Sequence, residues 1–295
     1  MPMKRINPAS MMANSVELSL NQIESMMLQE PTQDNQDSPL IKGYTLSPLL
    51  FDSFNTISLD DLDKMKLLGR FDSKFVFHRS KLEPIISQMA SDYHVLNIKN
   101  QTVFHYESTY LDTDDFKLYL MHHNGKPERI KVRWRKYTDI QKIFFEVKCK
   151  TSRKKTEKIR TEEPAVLSEL NQAQSELIAS LGYQDYCLKP KITISYDRIT
   201  MVSKSENIKV TLDMNIRFEN MVEAKELPHL VVAEVKSRRI TPKCLFIEAI
   251  KKLGIRQGSF SKYATGTAIL ELVKHNAFKP ELLLVTKINN ERNAP

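Results

Sequence analysis

Alternation with a period of two dominates the middle of the chain. Residues 93–98, 102–111, 129–137, 143–151, 156–160, 191–202, 208–218 and 230–238 form short runs rich in β-branched and aromatic residues, and they read as strands, with 70–78 ahead of them. Helical spacing takes over at 115–121, 164–181, 242–253 and 261–275. Two further short helices are predicted earlier. One starts at Ser58, where Asp61 completes a capping-box pattern ahead of Leu62, Met65 and Leu68; the other starts at Ser80 with Glu83 and places Leu82, Ile85, Ile86 and Met89 on one face. No repeat of roughly 20 to 50 residues is visible, which argues against a solenoid or propeller. Many antiparallel strands with a few helices predict an α+β architecture whose sheet closes into a barrel.

Alternate residues of a strand share a face, so the faces can be read directly. Lys131, Arg133 and Arg135 stand opposite Val132 and Trp134; Glu146, Lys148 and Lys150 stand opposite Phe145, Val147 and Cys149. Lys158 and Arg160 continue the series. Lys209, Asp213 and Arg217 face away from Ile208, Val210 and Leu212, as Glu234, Lys236 and Arg238 do from Val231, Ala233 and Val235. The first strand offers Arg70, Asp72 and Lys74. Solvent-facing strands are also polar, but they usually mix signs and include Thr, Ser and Gln, whereas Lys and Arg dominate here. Two like charges about 4 Å apart repel by roughly 1 kcal/mol in water and about 4 kcal/mol at an intermediate dielectric, so the crowding calls for an anion. A barrel with helices outside and these faces lining its bore would hold a polyanion. Glu146, Asp213 and Glu234 share the basic faces. They suit either hard oxygen ligation of Mg2+ or Mn2+ or internal salt bridging, and the sequence leaves both open.

Composition narrows the partner. Among 295 residues, 44 Lys and Arg against 36 Asp and Glu give a net charge of +8 and a pI near 9.2, so nucleic acid, acidic lipid and small phosphates all qualify. Nucleic acid is disfavoured because Trp134 and Phe145 alternate away from the basic faces instead of interleaving with them. Cys149, Cys187 and Cys244 are scattered and odd in number, which points to reduced thiols in the cytoplasm. No apolar run approaches the roughly 20 residues of a membrane span, and polar residues break up the N-terminal segment before any signal-peptide core forms. Residues 1–45 read as a disordered tail, 46–285 as the folded domain and 286–295 as a flexible C-terminus. The seven glycines make no phosphate-binding loop, dinucleotide fingerprint or nucleophile elbow. His122 and His123 are adjacent, no histidine pair has zinc-ligand spacing, and both read as surface or loop residues.

These residues also carry a family resemblance. Arg70-Phe71-Asp72-Ser73-Lys74-Phe75, then Asn124-Gly125-Lys126, Lys131-Val132-Arg133, Phe145-Glu146-Val147-Lys148, Tyr196-Asp197-Arg198, Val210-Thr211-Leu212-Asp213, Ala233-Glu234-Val235-Lys236 and Phe260-Ser261-Lys262-Tyr263 resemble, in order, the motifs of VTC (polyphosphate polymerase) domains. Their superfamily is the triphosphate tunnel, or CYTH-like, proteins. The resemblance runs from about residue 65 to 268. It implies a closed tunnel of eight antiparallel strands holding a triphosphate or polyphosphate chain, with Mn2+ or Mg2+ as cofactor. Lys74, Arg133, Lys148, Arg198 and Lys262 are expected to act on the transferred group, with Arg70, Lys131, Arg135, Lys150, Lys158, Arg160, Lys209 and Lys236 binding substrate. Glu234, with Glu146, would hold the metal. The implied reaction moves a phosphoryl group from ATP or another nucleoside triphosphate to orthophosphate or polyphosphate; a membrane-protein partner is compatible with a chain that itself lacks a span. Two departures bear on activity: Ser259 stands where the eukaryotic polymerases carry a second C-terminal lysine, and Lys150 where they carry a histidine. The alternatives are a metal-dependent triphosphatase and a non-catalytic polyphosphate sensor. The related cyclase and thiamine triphosphatase branch opens with Glu-x-Glu-x-Lys; here Arg70 and Asp72 stand at the acidic positions, which favours the polymerase branch.

Overall fold

A computed structural model describes residues 44–64, 71–151, 156–239 and 244–291. Arg70, Met65, Leu68 and residues 1–43 of the expected tail lie outside them. The strands are β1 (Asn55–Ile57), β2 (Phe71–His78), β3 (Tyr93–Leu96), β4 (Val103–Asp112), β5 (Arg129–Tyr137), β6 (Lys142–Lys150), β7 (Thr156–Glu163), β8 (Lys189–Ser203), β9 (Ile208–Glu219), β10 (Ala224–Leu227), β11 (Leu230–Ser237) and β12 (Gln257–Gly258). The helices are α1 (Leu59–Lys64), α2 (Leu82–Ile86), α3 (Lys117–His123), α4 (Gln172–Ser180), α5 (Leu245–Lys252), α6 (Lys262–Leu270) and α7 (Lys279–Asn290). Among the described residues no helix is long and apolar enough to cross a membrane.

The Ser58 pattern forms as expected, with Asp61 N–H donating to Ser58 Oγ at 3.2 Å. The Ser80 pattern does not. Ser80 Oγ pairs with His78 Nδ1, and Glu83 instead accepts the Tyr44 hydroxyl at 2.6 Å, which anchors a residue assigned to the tail. The flexible end expected at 286–295 starts inside α7, which continues to Asn290 and buries Ile288.

All strands join one sheet in the order β12-β2-β11-β9-β8-β4-β5-β6-β7, with β3 beside β8, β10 beside β9 and β1 parallel to β3. The other pairings are antiparallel. The closed eight-stranded barrel is therefore a correction: among the described residues no ladder joins β12 to β7. β12 is two residues long, and β7 is largely exposed with Glu157, Glu162 and Glu163 along it, a charged edge of the kind that discourages further pairing. The sheet nevertheless curls. Lys74 of β2 and Lys131 of β5, far apart along the strand order, reach neighbouring residues of one turn, Phe260 and Ser261.

Helices cover the outer face as the apolar alternation requires. Phe75, Phe77, Ala233, Val235, Val210 and Leu212 pack on α2 and α5, and Val132, Trp134, Phe145 and Val147 on Ile178 of α4. The inner face divides in two. Its basic part follows the sequence reading, but around Ile192, Ile194, Ile216 and Phe218 it is apolar and filled by Tyr263, Ala264 and Leu270 of α6. A Cβ on Gly266 would lie 2.7 Å from Phe218 Cδ1 and 2.8 Å from Ile192 Cδ1, so glycine is what lets α6 sit this close.

Candidate functional site

Directly opposed residues of an antiparallel pair project to the same side. The register thus collects Lys131, Lys148 and Lys158 in one row, Arg133, Glu146 and Arg160 in the next, and Arg129 with Lys150 beyond. From the other arm come Lys74 opposite Glu234, and Asp72 and Lys209 opposite Lys236. Arg198 faces Asp213 across β8 and β9. Arg217 departs from this face: Asn215 takes a left-handed conformation (φ 51°), the alternation slips, and Arg217 turns outward to Glu219 and Glu226.

Three carboxylates organise the cations. Glu146 is 2% exposed; its Oε2 accepts from Arg133 Nη2 at 2.6 Å and Nε at 2.9 Å, its Oε1 from Lys158 Nζ at 2.6 Å, with Arg160 at 3.6 Å and Arg135 at 4.0 Å. Burial would raise its carboxyl, but the charges of Arg133, Arg135 and Lys158 outweigh that and hold it far below the usual range. Both oxygens are committed, so the metal role expected of Glu146 does not fit its surroundings; salt bridging does. Asp213 is clamped by Arg198 through Nε at 2.5 Å and Nη2 at 2.8 Å, and by Lys262 at the start of α6. Glu234 pairs with Lys236. Burial opposes its ionisation, yet Lys236 and Lys74 hold its carboxyl at about 2.

The lysines of this face differ in their surroundings. Lys148 is solvent-exposed on β6; partial burial lowers its ammonium while Asp72 and Glu234 pull it up, so the two acids of β2 and β11 lie across from β6. Burial lowers Lys158 to about 8 against the pull of Glu146. Lys131 donates to Ser261 Oγ at 2.9 Å, and dehydration, then the charges of Lys74 and Lys148, depress it. Lys74 donates to the Phe260 carbonyl at 2.5 Å. Aromatic rings support the guanidinium groups: Arg160 lies 3.4 Å from the Phe144 centroid, Arg198 5.0 Å from Tyr106 and Arg133 5.4 Å from Tyr110. The strand register and ion pairs thus place Lys74, Lys131, Arg133, Lys148, Lys158, Arg160, Arg198, Lys209, Lys236 and Lys262 on one side of the sheet, while Arg217 lies apart from them.

Among the described residues no group of three or more His, Cys, Asp or Glu side chains could hold a metal. A hard cation bridging phosphate oxygens needs only one or two carboxylates, the substrate supplying the rest. Glu234, ionised and partly accessible with Asp72 on the neighbouring strand, fits that requirement.

Three residues escaped the sequence reading. His122 and His123 are neither surface nor loop residues; they sit on α3, with His123 Nε2 accepting from Ala277 N–H at 3.2 Å. His122 packs on Phe278, and its Nδ1 is buried without a partner. Burial, then the cations of Lys131, Arg129, Lys74 and Lys150, lowers His122 to about 3, so it borders the basic face as a neutral imidazole. Glu281 of α7 is likewise buried, beside the turn that leads into α6. None of the three shows in strand alternation, since all come from helices.

Comparison with known proteins gives a family. The VTC domain model matches residues 69–271. No curated protein matches the chain. Among solved structures, a Bacillus halodurans protein provisionally assigned as an adenylate cyclase is 15% identical over 66% of this chain and 96% of its own, with a TM-score of 0.42. A provisionally assigned adenylyl cyclase from Hippeastrum with a dominant triphosphatase activity is 13% identical over 70% and 98%, at 0.41. The S. pombe RNA triphosphatase is 11% identical over 98% and 95%, at 0.24. These are distant likenesses.

Proposed function

The chain belongs to the VTC domain family, and from that premise we propose that it is a phosphoryl-transfer enzyme. In this reading the curled basic face binds a nucleoside triphosphate or polyphosphate and extends a polyphosphate chain with Mn2+ or Mg2+. The observation that carries the reading is the convergence of Lys74, Lys131, Arg133, Lys148, Lys158, Arg198, Lys236 and Lys262 on one concave face, with their carboxylates paired inward.

The nucleophile in such a reaction is itself a phosphate, so the protein supplies alignment and charge neutralisation rather than covalent chemistry. Arg133 and Arg198 are held rigidly by Glu146 and Asp213 and present fixed forks for non-bridging oxygens. Lys148, exposed and crowded by Lys74 and Arg133, contributes a mobile charge to the transferred group. Glu234 would hold the divalent cation, which when bound neutralises charge on the phosphate oxygens. Lys150, Arg160 and Lys209 extend the binding track.

One observation favours a second reading. The apolar part of the inner face is filled by α6 against Ile192 and Phe218, which shortens the space for a chain and suits a triphosphatase acting on short phosphates. The test is incubation with ATP, orthophosphate and Mn2+, the products being resolved by length beside a Glu234→Gln control. Long chains lost in the control support the polymerase. Orthophosphate or tripolyphosphate alone supports the triphosphatase, and no turnover despite tight polyphosphate binding overturns both in favour of a sensor.

A further inference from the structure

The VTC match ends at residue 271, yet α7, which follows it, reaches the basic face through one carboxylate. Glu281 is 9% exposed on the same helix face as the buried Val285 and Ile288. An acid in such a place is costly unless its oxygens are used. They are used by a single segment: Ser261 N–H donates to Oε1 at 3.1 Å, the Thr265 hydroxyl to Oε1 at 2.5 Å, and Ser259 Oγ lies 3.5 Å from Oε2. Ser259 occupies the position where a lysine was expected.

That segment is where the two arms of the sheet meet. Lys74 of β2 donates to the Phe260 carbonyl, Lys131 of β5 donates to Ser261 Oγ, and Lys262 opens α6 on Asp213. Ser261 Oγ also caps α6 by accepting from Ala264 N–H at 3.3 Å. Glu281 therefore fixes the atoms that aim two ammonium groups from opposite arms and the start of the helix that carries a third.

Resting on the phosphate-site reading above, we propose that Glu281 is a positioning residue for phosphate binding, and that α7 is thereby a working part of the site. Its role is geometric. A glutamine can still accept from Ser261 N–H and Thr265 through its carbonyl oxygen and donate to Ser259 Oγ through its amide, whereas alanine leaves all three groups without a partner.

The experiment is titration calorimetry of the full chain with sodium tripolyphosphate at fixed ionic strength, well below each variant's unfolding midpoint. The wild type is compared with Glu281→Ala, Glu281→Gln, Lys131→Met and the Glu281→Ala, Lys131→Met double variant. Loss of orientation at a charge-assisted contact is expected to weaken binding about tenfold in Glu281→Ala. Glu281→Gln should stay within about twofold of the wild type, and Glu281→Ala should cost clearly less in the Lys131→Met background, the mark of two residues acting through one contact. A folded Glu281→Ala that binds like the wild type overturns the proposal. So does a Gln variant as weak as the Ala variant, or full additivity with Lys131→Met. A wild type that does not bind tripolyphosphate at all overturns the phosphate-site reading and this inference with it.

Discussion

Replacing Glu146 with Gln removes one negative charge from a place where Arg133, Lys158, Arg160 and Arg135 all lie within 4.0 Å of its oxygens. Breaking a buried ion pair by removing one partner costs about 3 to 5 kcal/mol. Lys158 and Arg160 are 44% and 40% exposed and can turn to water, so only Arg133 and Arg135 are left strongly uncompensated. The lower end, about 3 kcal/mol, is the appropriate expectation. In a domain of this size that corresponds to a fall in Tm of roughly 6 to 12 °C. Thermal and urea unfolding, with and without tripolyphosphate, measure it. Because the variant has gained a net positive charge on the inner face, the polyanion should raise its Tm by more than it raises that of the wild type. The linkage has a definite sign. The folded-state carboxyl is depressed, so its contribution is present above the ordinary pKa of 4.5 and is lost as pH falls below it. The variant should lack that acid-dependent loss. A change below about 1 kcal/mol would refute the reasoning, as would a loss seen only when Mn2+ is present, which would restore Glu146 as a metal ligand.

Gly266→Ala forces a methyl group into contact with the Phe218 ring and Ile192, and overpacking of this kind costs about 1 to 3 kcal/mol in chemical denaturation; an unchanged midpoint would mean that α6 does not fill the inner face. His122 is kept neutral in the folded protein, with its pKa lowered from 6.5 to about 3, so the unfolded chain takes up its proton first. Its contribution is complete above 6.5 and is lost as pH falls toward 3, and His122→Asn should flatten the unfolding free energy between pH 6.5 and 4. An identical pH profile for the variant would place His122 away from the cations.

The two-residue period made the strands legible because each buries one face. Trp134, Phe145 and Val147 went outward under α4, and Lys131, Arg133 and Lys148 went inward, as the alternation required. What escaped depends on contacts between distant parts of the chain. Whether a sheet closes is decided by its two end strands, and neither the shortness of β12 nor the charged edge of β7 stands out in a pattern scan. The inner face of β8 was harder still: Ile192, Ile194 and Tyr196 alternate like outer-face residues, and only α6 packed against them reveals which side they occupy. At Asn215 a single left-handed residue reversed the facing of the rest of β9, Arg217 included. The role of an acid in the site was equally hidden. Glu146, Asp213 and Glu234 share a face in the sequence, but only their neighbours separate two cation anchors from one carboxylate still suited to a metal.

The most direct test of the central claim is a crystal structure of the full chain with tripolyphosphate and Mn2+. The account predicts a phosphate chain on the inner face, in contact with Lys74, Arg133, Lys148 and Lys262, and an anomalous manganese peak beside Glu234. Tripolyphosphate bound on the outer face, or manganese bound away from Glu234, would contradict it.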